Sequence, residues 1–215
     1  MDRSMEDTIR QAIDTHKAMV GQLEKKGITV ITKAATTMAE VLKGGHRVYI
    51  CGNGGSAADA QHIAGELIGR FEMTRKALPV VALTTDTSIL TAIGNDLSFE
   101  DVFVRQVEAL VRSGDLLWAI STSGKSPNVI KAARLAKERG ATVLAFTGRA
   151  NSPLEQMSDL CLCADYPSSA RSQEIHQLAY HILCALVERL ACGPGQAVEG
   201  VKARGVRSKV EWIHG

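Results

Sequence analysis

The sequence predicts an α/β fold: a three-layer sandwich with a central parallel sheet flanked by helices, preceded by N-terminal helices. Three observations carry that expectation. Beyond Gly45, short and near-continuous apolar runs alternate with helix-patterned segments, and such runs belong to parallel strands buried on both faces. Two of the turns that follow these runs are rich in Gly, Ser and Thr, where a parallel sheet binds its ligands. The 215 residues with 45% hydrophobic content suit one globular domain with a sizeable core.

The elements follow in order. Residues 6–26 and 28–43 read as two helices, rich in Ala, Met, Glu and Lys, with breaks at Gly27 and at Gly44-Gly45. Val48–Cys51 reads as a strand. Residues 57–70 read as a helix whose start carries Ser56-x-x-Asp59, a capping-box-like signal. A strand over 79–83 precedes the polar loop 84–88 and a short helix ending at Ile93. A helix over 100–112 leads to the apolar strand 116–120. The loop Ser121-Thr122-Ser123-Gly124-Lys125-Ser126 then opens a helix at Pro127, a favoured first-turn residue. That helix stops at Gly140. Strands over 141–147 and 160–164 and a long helix over 169–190 complete the pattern. The tail, 191–215, has weak periodicity and several glycines, and reads as poorly ordered or as a partner-contacting extension.

Composition narrows the function. A net charge of +2 gives no reason to expect nucleic acid or an anionic membrane as partner. No apolar run reaches the ~18 residues of a membrane span, and Met1–Asp7 lacks the apolar core of a signal peptide. The expectation is a cytoplasmic protein. The cysteines, Cys51, Cys161, Cys163, Cys184 and Cys192, contain no Cys-x-x-Cys pair. They read as reduced and structural rather than as a thiolate zinc site.

Two loops and two helices carry candidate chemistry. Cys51-Gly52-Asn53-Gly54-Gly55-Ser56 follows a strand and opens a helix, so backbone N–H groups can crowd against an anion at a helix N-terminus. Gly52-x-Gly54-x-x-Ala57 nearly matches a dinucleotide fingerprint, but the acidic residue ending the second strand, Asp86, lies well beyond the ~20 residues that fingerprint needs. Ala119 stands where a nucleotide P-loop has its first glycine, which argues against an NTPase. The hydroxyls of Ser121, Thr122, Ser123 and Ser126 instead suit a single phosphate group; alone they read equally as a solvated turn. His62 and Glu66 stand at i and i+4 on one helix face, and alone would be a surface pair. Gln173 and His181 lie on roughly one side of the last helix, about 12 Å apart along its axis. Two imidazoles, a carboxylate and an amide oxygen can form a zinc-like site, provided that 173 and 181 lean to a common point or come from different subunits. His16, His46, His176 and His214 receive no role from spacing.

With these residues in view, the chain resembles the sugar isomerase (SIS) domain family, and within it the enzymes acting on phosphorylated heptoses. The resemblance rests on Cys-Gly-Asn-Gly-Gly-Ser at 51–56, Gln-His-x-Ala-x-Glu at 61–66, Gly-Asn-Asp at 94–96, Ile-Ser-Thr-Ser-Gly-x-Ser at 120–126 and Gln-Glu-Ile-His…His at 173–181. It divides the chain into an N-terminal helical segment over 1–45, a flavodoxin-like SIS domain over 33–190 and the tail over 191–215. It implies a homotetrameric aldose–ketose isomerase that converts sedoheptulose 7-phosphate to D-glycero-D-manno-heptose 7-phosphate, at the entry to ADP- or GDP-heptose and lipopolysaccharide biosynthesis. Asn53, Gly54, Gly55, Glu66, Asn95, Asp96, Ser121, Thr122, Ser123, Ser126 and Gln173 are the implied sugar-phosphate contacts. His62, Glu66, Gln173 and His181 are the implied ligands of one zinc ion per subunit, with Glu66 and His181 the implied acid–base pair. Ser172 departs from the family, whose members usually carry Ile there, and the tail has no counterpart. The competing expectation is a non-catalytic SIS protein that binds a replication initiator or senses a phosphosugar; the presence of both Glu66 and His181 argues against it.

Overall fold

The computed structural model describes residues 4–193. Of the tail expected over 191–215, residues 194–215 lie outside the described residues, whereas Ala191 and Cys192 end the last helix.

The N-terminal segment is one rod rather than two helices. Helix α1 (Met5–Gln22) runs through a π-helical stretch, Leu23–Gly27, into α2 (Ile28–Lys43). Gly27 does not break it. A Cβ there would stand 2.5 Å from Leu23 Cδ1, one turn earlier in the same rod, and at ordinary contact distance, 3.5 Å, from Leu162 Cδ1 of the sheet edge.

Strands β1 (Val48–Gly52), β2 (Val80–Ala82), β3 (Leu116–Ser121), β4 (Thr142–Thr147) and β5 (Leu160–Cys163) form one sheet. Every pairing is parallel, in the order β2-β1-β3-β4-β5. Helix α3 (Gly55–Ile68) connects β1 to β2. After β2 come α4 (Thr87–Asp96), a 3₁₀ turn (Phe99–Asp101) and α5 (Val104–Leu110). Then α6 (Pro127–Glu138) joins β3 to β4, α7 (Pro153–Met157) joins β4 to β5, and α8 (Ser169–Cys192) closes the chain. The expected α/β sandwich is thus present. Differences are local: α4 starts at Thr87 because Asp86 caps it, accepting from the Ile89 N–H at 2.9 Å. The helix expected over 100–112 splits into the 3₁₀ turn and α5, and α7 was not foreseen.

Alternate residues of each strand enter different cores, as a period of two requires. Val48, Ile50, Leu116, Trp118, Leu144 and Phe146 pack under α2, α3 and α8. Tyr49, Cys51, Leu117, Ala119, Val143 and Ala145 pack under α5 and α6. At ~1.5–3 kcal/mol per fully buried large side chain, the central strands anchor both layers. From β1 the chain crosses first to β2 on one side and later to β3 on the other. The C-terminal ends of β1 and β3 are therefore the switch point at which such sheets hold ligands, and they carry the two loops singled out from sequence.

Candidate functional site

The glycine loop and the serine loop meet at that switch point. The side chains of Asn53 and Asn128 exchange hydrogen bonds at 2.8 and 2.9 Å, tying the start of α3 to the start of α6. The α3 N-cap is Gly54, with φ +54°, and no side chain caps the helix. The capping-box expectation at Ser56 therefore fails: the glycine turn starts the helix earlier and places Ser56 inside its first turn. Gly55 is required by close approach, because a Cβ there would collide with the Gln173 amide on α8. In the second loop, Ser121 Oγ lies 3.0 Å from Ser126 Oγ and 3.3 Å from Ser123 Oγ. Thr122 donates to Ser169 Oγ at 3.1 Å, linking this loop to the start of α8. Ser126, the α6 N-cap residue, makes no side-chain cap bond. Ser123 Oγ also accepts from the Lys125 N–H at 3.1 Å; hydroxyls bonded chiefly to other hydroxyls, next to helix N-termini, can rotate toward an incoming phosphate.

Helices α3 and α8 lie side by side and run in the same direction, so matching positions meet twice. Gly55 meets Gln173 at the start. About two turns on, His62 and Glu66 meet His181. His62 Nε2 is 3.0 Å from Glu66 Oε1 and 3.5 Å from His181 Nε2, and ligand atoms of all three residues lie within 4.8 Å of one another. Bonds of ~2.0–2.1 Å at tetrahedral angles place zinc ligands about 3.3 Å apart. Two imidazoles and a carboxylate converging at this spacing fit a divalent cation. Burial, and secondarily the neighbouring His62, push the His181 pKa below its ordinary value, against the opposing charge of Glu66. The ring stacks on Phe71, with centroids 5.7 Å apart and planes at 6°.

Of the residues chosen from sequence, the structure gathers Asn53, Gly54 and Gly55 with Gln173, joins Ser121, Ser123 and Ser126, and converges His62, Glu66 and His181. Asn95 and Asp96 are exposed at the end of α4 and bond each other at 2.7 Å; no described hydrogen bond joins them to the rest. Three participants were missed. Tyr180 lies 2.9 Å from His62 Nδ1 through its hydroxyl, the Asp59 carboxylate is close enough to act electrostatically on both, and Phe71 covers His181. Tyr180 adjoins His181 in sequence, and Asp59 precedes His62 by three on one helix face, so two of them carried a local signal.

Such an arrangement offers donors for an esterified phosphate at a switch point, with proton-transfer groups beside it, a layout that suits an α/β protein handling phosphorylated sugars. The SIS domain family model matches residues 13–148. A phosphoheptose isomerase of Aquifex aeolicus is 51% identical over 75% of this chain and 85% of its own length. Another, of Roseiflexus sp., is 46% identical over 85% and 91%. The solved structure of a phosphoheptose isomerase from Neisseria gonorrhoeae superposes with a TM-score of 0.81 at 41% identity, covering 86% of this chain and 99% of that one. The chain belongs to the SIS domain family.

Proposed function

We propose that this chain is a phosphoheptose isomerase, an aldose–ketose isomerase converting sedoheptulose 7-phosphate to D-glycero-D-manno-heptose 7-phosphate. One observation carries the reading: Glu66 and His181, far apart in sequence, converge with His62 on the helix pair α3–α8, whose N-terminal ends meet the glycine loop and, through Thr122 and Ser169, the serine loop. Relatives at 46–51% identity that bear the isomerase name support it.

The chemistry follows from the groups present. Ketose-to-aldose exchange removes a proton from C1, shifts one from the C1 hydroxyl to the C2 carbonyl oxygen, and returns a proton to C2 through an enediol. Glu66 takes and returns the carbon-bound proton. His181 serves the two oxygens, accepting from one and donating to the other. Asn53, Gly54, Gly55, Ser121, Thr122, Ser123, Ser126 and Gln173 hold the phosphorylated chain, together with Asn95 and Asp96. His62, Glu66 and His181 would hold one zinc ion per subunit; Gln173, packed against Gly55 two turns away, would join them only from a different subunit. When bound, the ion supplies Lewis-acid polarisation of a substrate oxygen and orders the site. The two oxygens of Glu66 divide its roles, one toward the cation and one toward the substrate.

The enzyme acts as a homotetramer in the cytoplasm, feeding ADP- or GDP-heptose and lipopolysaccharide biosynthesis. No helix among the described residues is long and apolar enough to cross a membrane. A non-catalytic role, binding a replication initiator or sensing a phosphosugar, is not favoured, because it needs neither Glu66 nor His181. The deciding experiment incubates Glu66→Gln with sedoheptulose 7-phosphate in D₂O. Deuterium uptake at C2 is expected to fall about 10²–10⁴-fold with folding intact; full exchange removes Glu66 from the base role.

A further inference from the structure

His62 presents both ring nitrogens to named partners. Nε2 faces Glu66 Oε1 at 3.0 Å and His181 Nε2 at 3.5 Å, while Nδ1 faces the Tyr180 hydroxyl at 2.9 Å. A neutral imidazole carries one proton, so the partner of one nitrogen decides what the other can do. With no cation bound, the short contact to a carboxylate requires the proton on Nε2, and Tyr180 then donates to Nδ1. For Nε2 to offer its lone pair to a cation, the proton must sit on Nδ1 and Tyr180 must accept it. The Tyr180 O–H then needs a new acceptor. Asp59 is at hand: beyond the effect of burial, its carboxylate is near enough to Tyr180 for its charge to help raise the pKa of that hydroxyl. Its buried Oδ2 has no partner at all. Tyr180 is itself buried, with its ring edge-on to His62 at 5.4 Å, so its hydroxyl has little freedom to turn elsewhere.

We propose that Tyr180 and Asp59 form a relay that sets the tautomer of His62, holding the proton on Nδ1 so that Nε2 is free to ligate the cation shared with Glu66 and His181. The inference rests on the metal reading above. The exchange is balanced: Nε2 loses a proton, Nδ1 gains one, the Tyr180 O–H swings from Nδ1 to Asp59, and the ring stays neutral. Tyr180 and Asp59 are positioning residues; neither touches the reacting atoms. A ligating histidine whose second nitrogen lacks its partner binds metal about 10–100-fold more weakly.

The test measures Zn²⁺ and Co²⁺ dissociation constants on the full chain, by competition with a chromophoric chelator. The proteins are the wild type, Tyr180→Phe, Asp59→Ala and the double variant. Tyr180→Phe keeps the buried ring and removes only the hydroxyl; Asp59, being less buried, provides a second route should the first variant fold poorly. Both single variants are expected to bind about 10–100-fold more weakly, with metal-free melting unchanged. The double variant is expected to bind no more weakly than Tyr180→Phe alone, since links of one relay do not add. Undiminished affinity in Tyr180→Phe, or fully additive losses, overturns the relay and leaves the metal reading standing. A wild type that takes up neither ion overturns the metal reading, and the relay with it.

Discussion

Two clusters of ionisable side chains sit on α8 about two turns apart, and they behave as opposites. At Glu188 the carboxylate is fully enclosed. It accepts from the backbone N–H groups of Phe71, Glu72 and Met73 at 2.9, 2.8 and 3.0 Å and pairs with Arg75 at 2.8 Å. Arg75 in turn donates to the carbonyls of Gly69, Lys76 and Glu66; only its Nε lacks a partner. At His181 the groups are partly exposed, and potential ligand atoms of His62, Glu66 and His181 converge within 4.8 Å of one another. One cluster has used its bonding capacity to fold the 69–76 segment. The other keeps capacity in reserve for something the chain does not supply. The pair of clusters teaches that charge near a helix marks a site only when its bonding is incomplete. They are also linked, since the segment pinned by Glu188 delivers Phe71 onto the His181 ring.

The comparison breaks most sharply at Glu188. Changing Glu188→Gln strands a buried guanidinium, a defect that costs ~3–5 kcal/mol, and chemical denaturation is expected to show a loss of that size. A loss below ~1 kcal/mol, the level of an exposed pair, would make the cluster no more structural than a surface bridge.

His176 sharpens the comparison, being a third ionisable group on α8 that is buried yet belongs to neither cluster. Its Nε2–H donates to the Thr147 carbonyl at 3.0 Å, its Nδ1 has no partner, and burial pushes its pKa down to about 4. Between that value and the ordinary ~6.5 the unfolded chain binds the extra proton. The stability tied to the neutral ring is thus full above about pH 6.5 and drains as pH falls toward 4. His176→Gln, which can still donate to Thr147, is expected to flatten the pH–stability curve over that window by on the order of 3 kcal/mol relative to wild type. Parallel curves would contradict the assignment.

The smallest effect on folding is expected at the open cluster. His181→Ala removes a half-buried ring whose contacts are not saturated, so thermal unfolding is expected to change by no more than ~1 kcal/mol, while isomerisation of sedoheptulose 7-phosphate is lost. A large destabilisation would erase the distinction between the two regions.

Much of this architecture was legible before any coordinates. Val48–Cys51, 116–120 and 141–147 are apolar at nearly every position, which only a doubly covered strand tolerates, and the i,i+4 pair at 62 and 66 announces a shared face. What eluded reading was set by local turn geometry and by contacts across the fold. Gly27 looks like a helix stop because the wide turn that carries the chain through it, and the Leu23 side chain that a Cβ there would crowd, do not show in a residue-type pattern. Ser56 looks like a cap because the left-handed turn at Gly54 is invisible to a residue-type pattern. Helix α7 is too short for periodicity, although Ser152 caps it by accepting from the Glu155 N–H and Pro153 follows. Within the site, the His62–Glu66 pair could be read locally. The approach of His181, the Arg75–Glu188 pair and the Phe71 stack join segments whose partners lie more than a hundred positions away.

The π-helical stretch Leu23–Gly27 has a consequence for how the N-terminal rod meets the body of the molecule. A wide turn accommodates one more residue than a regular one, and each residue of a regular helix advances it by about 100°. Shortening this stretch by a single residue would restore a uniform spiral and swivel all of α1 through roughly that angle. His16, now 3.0 Å from Glu174, would then face away from α8. The widened turn works as a vernier, aligning one long rod with two different surfaces.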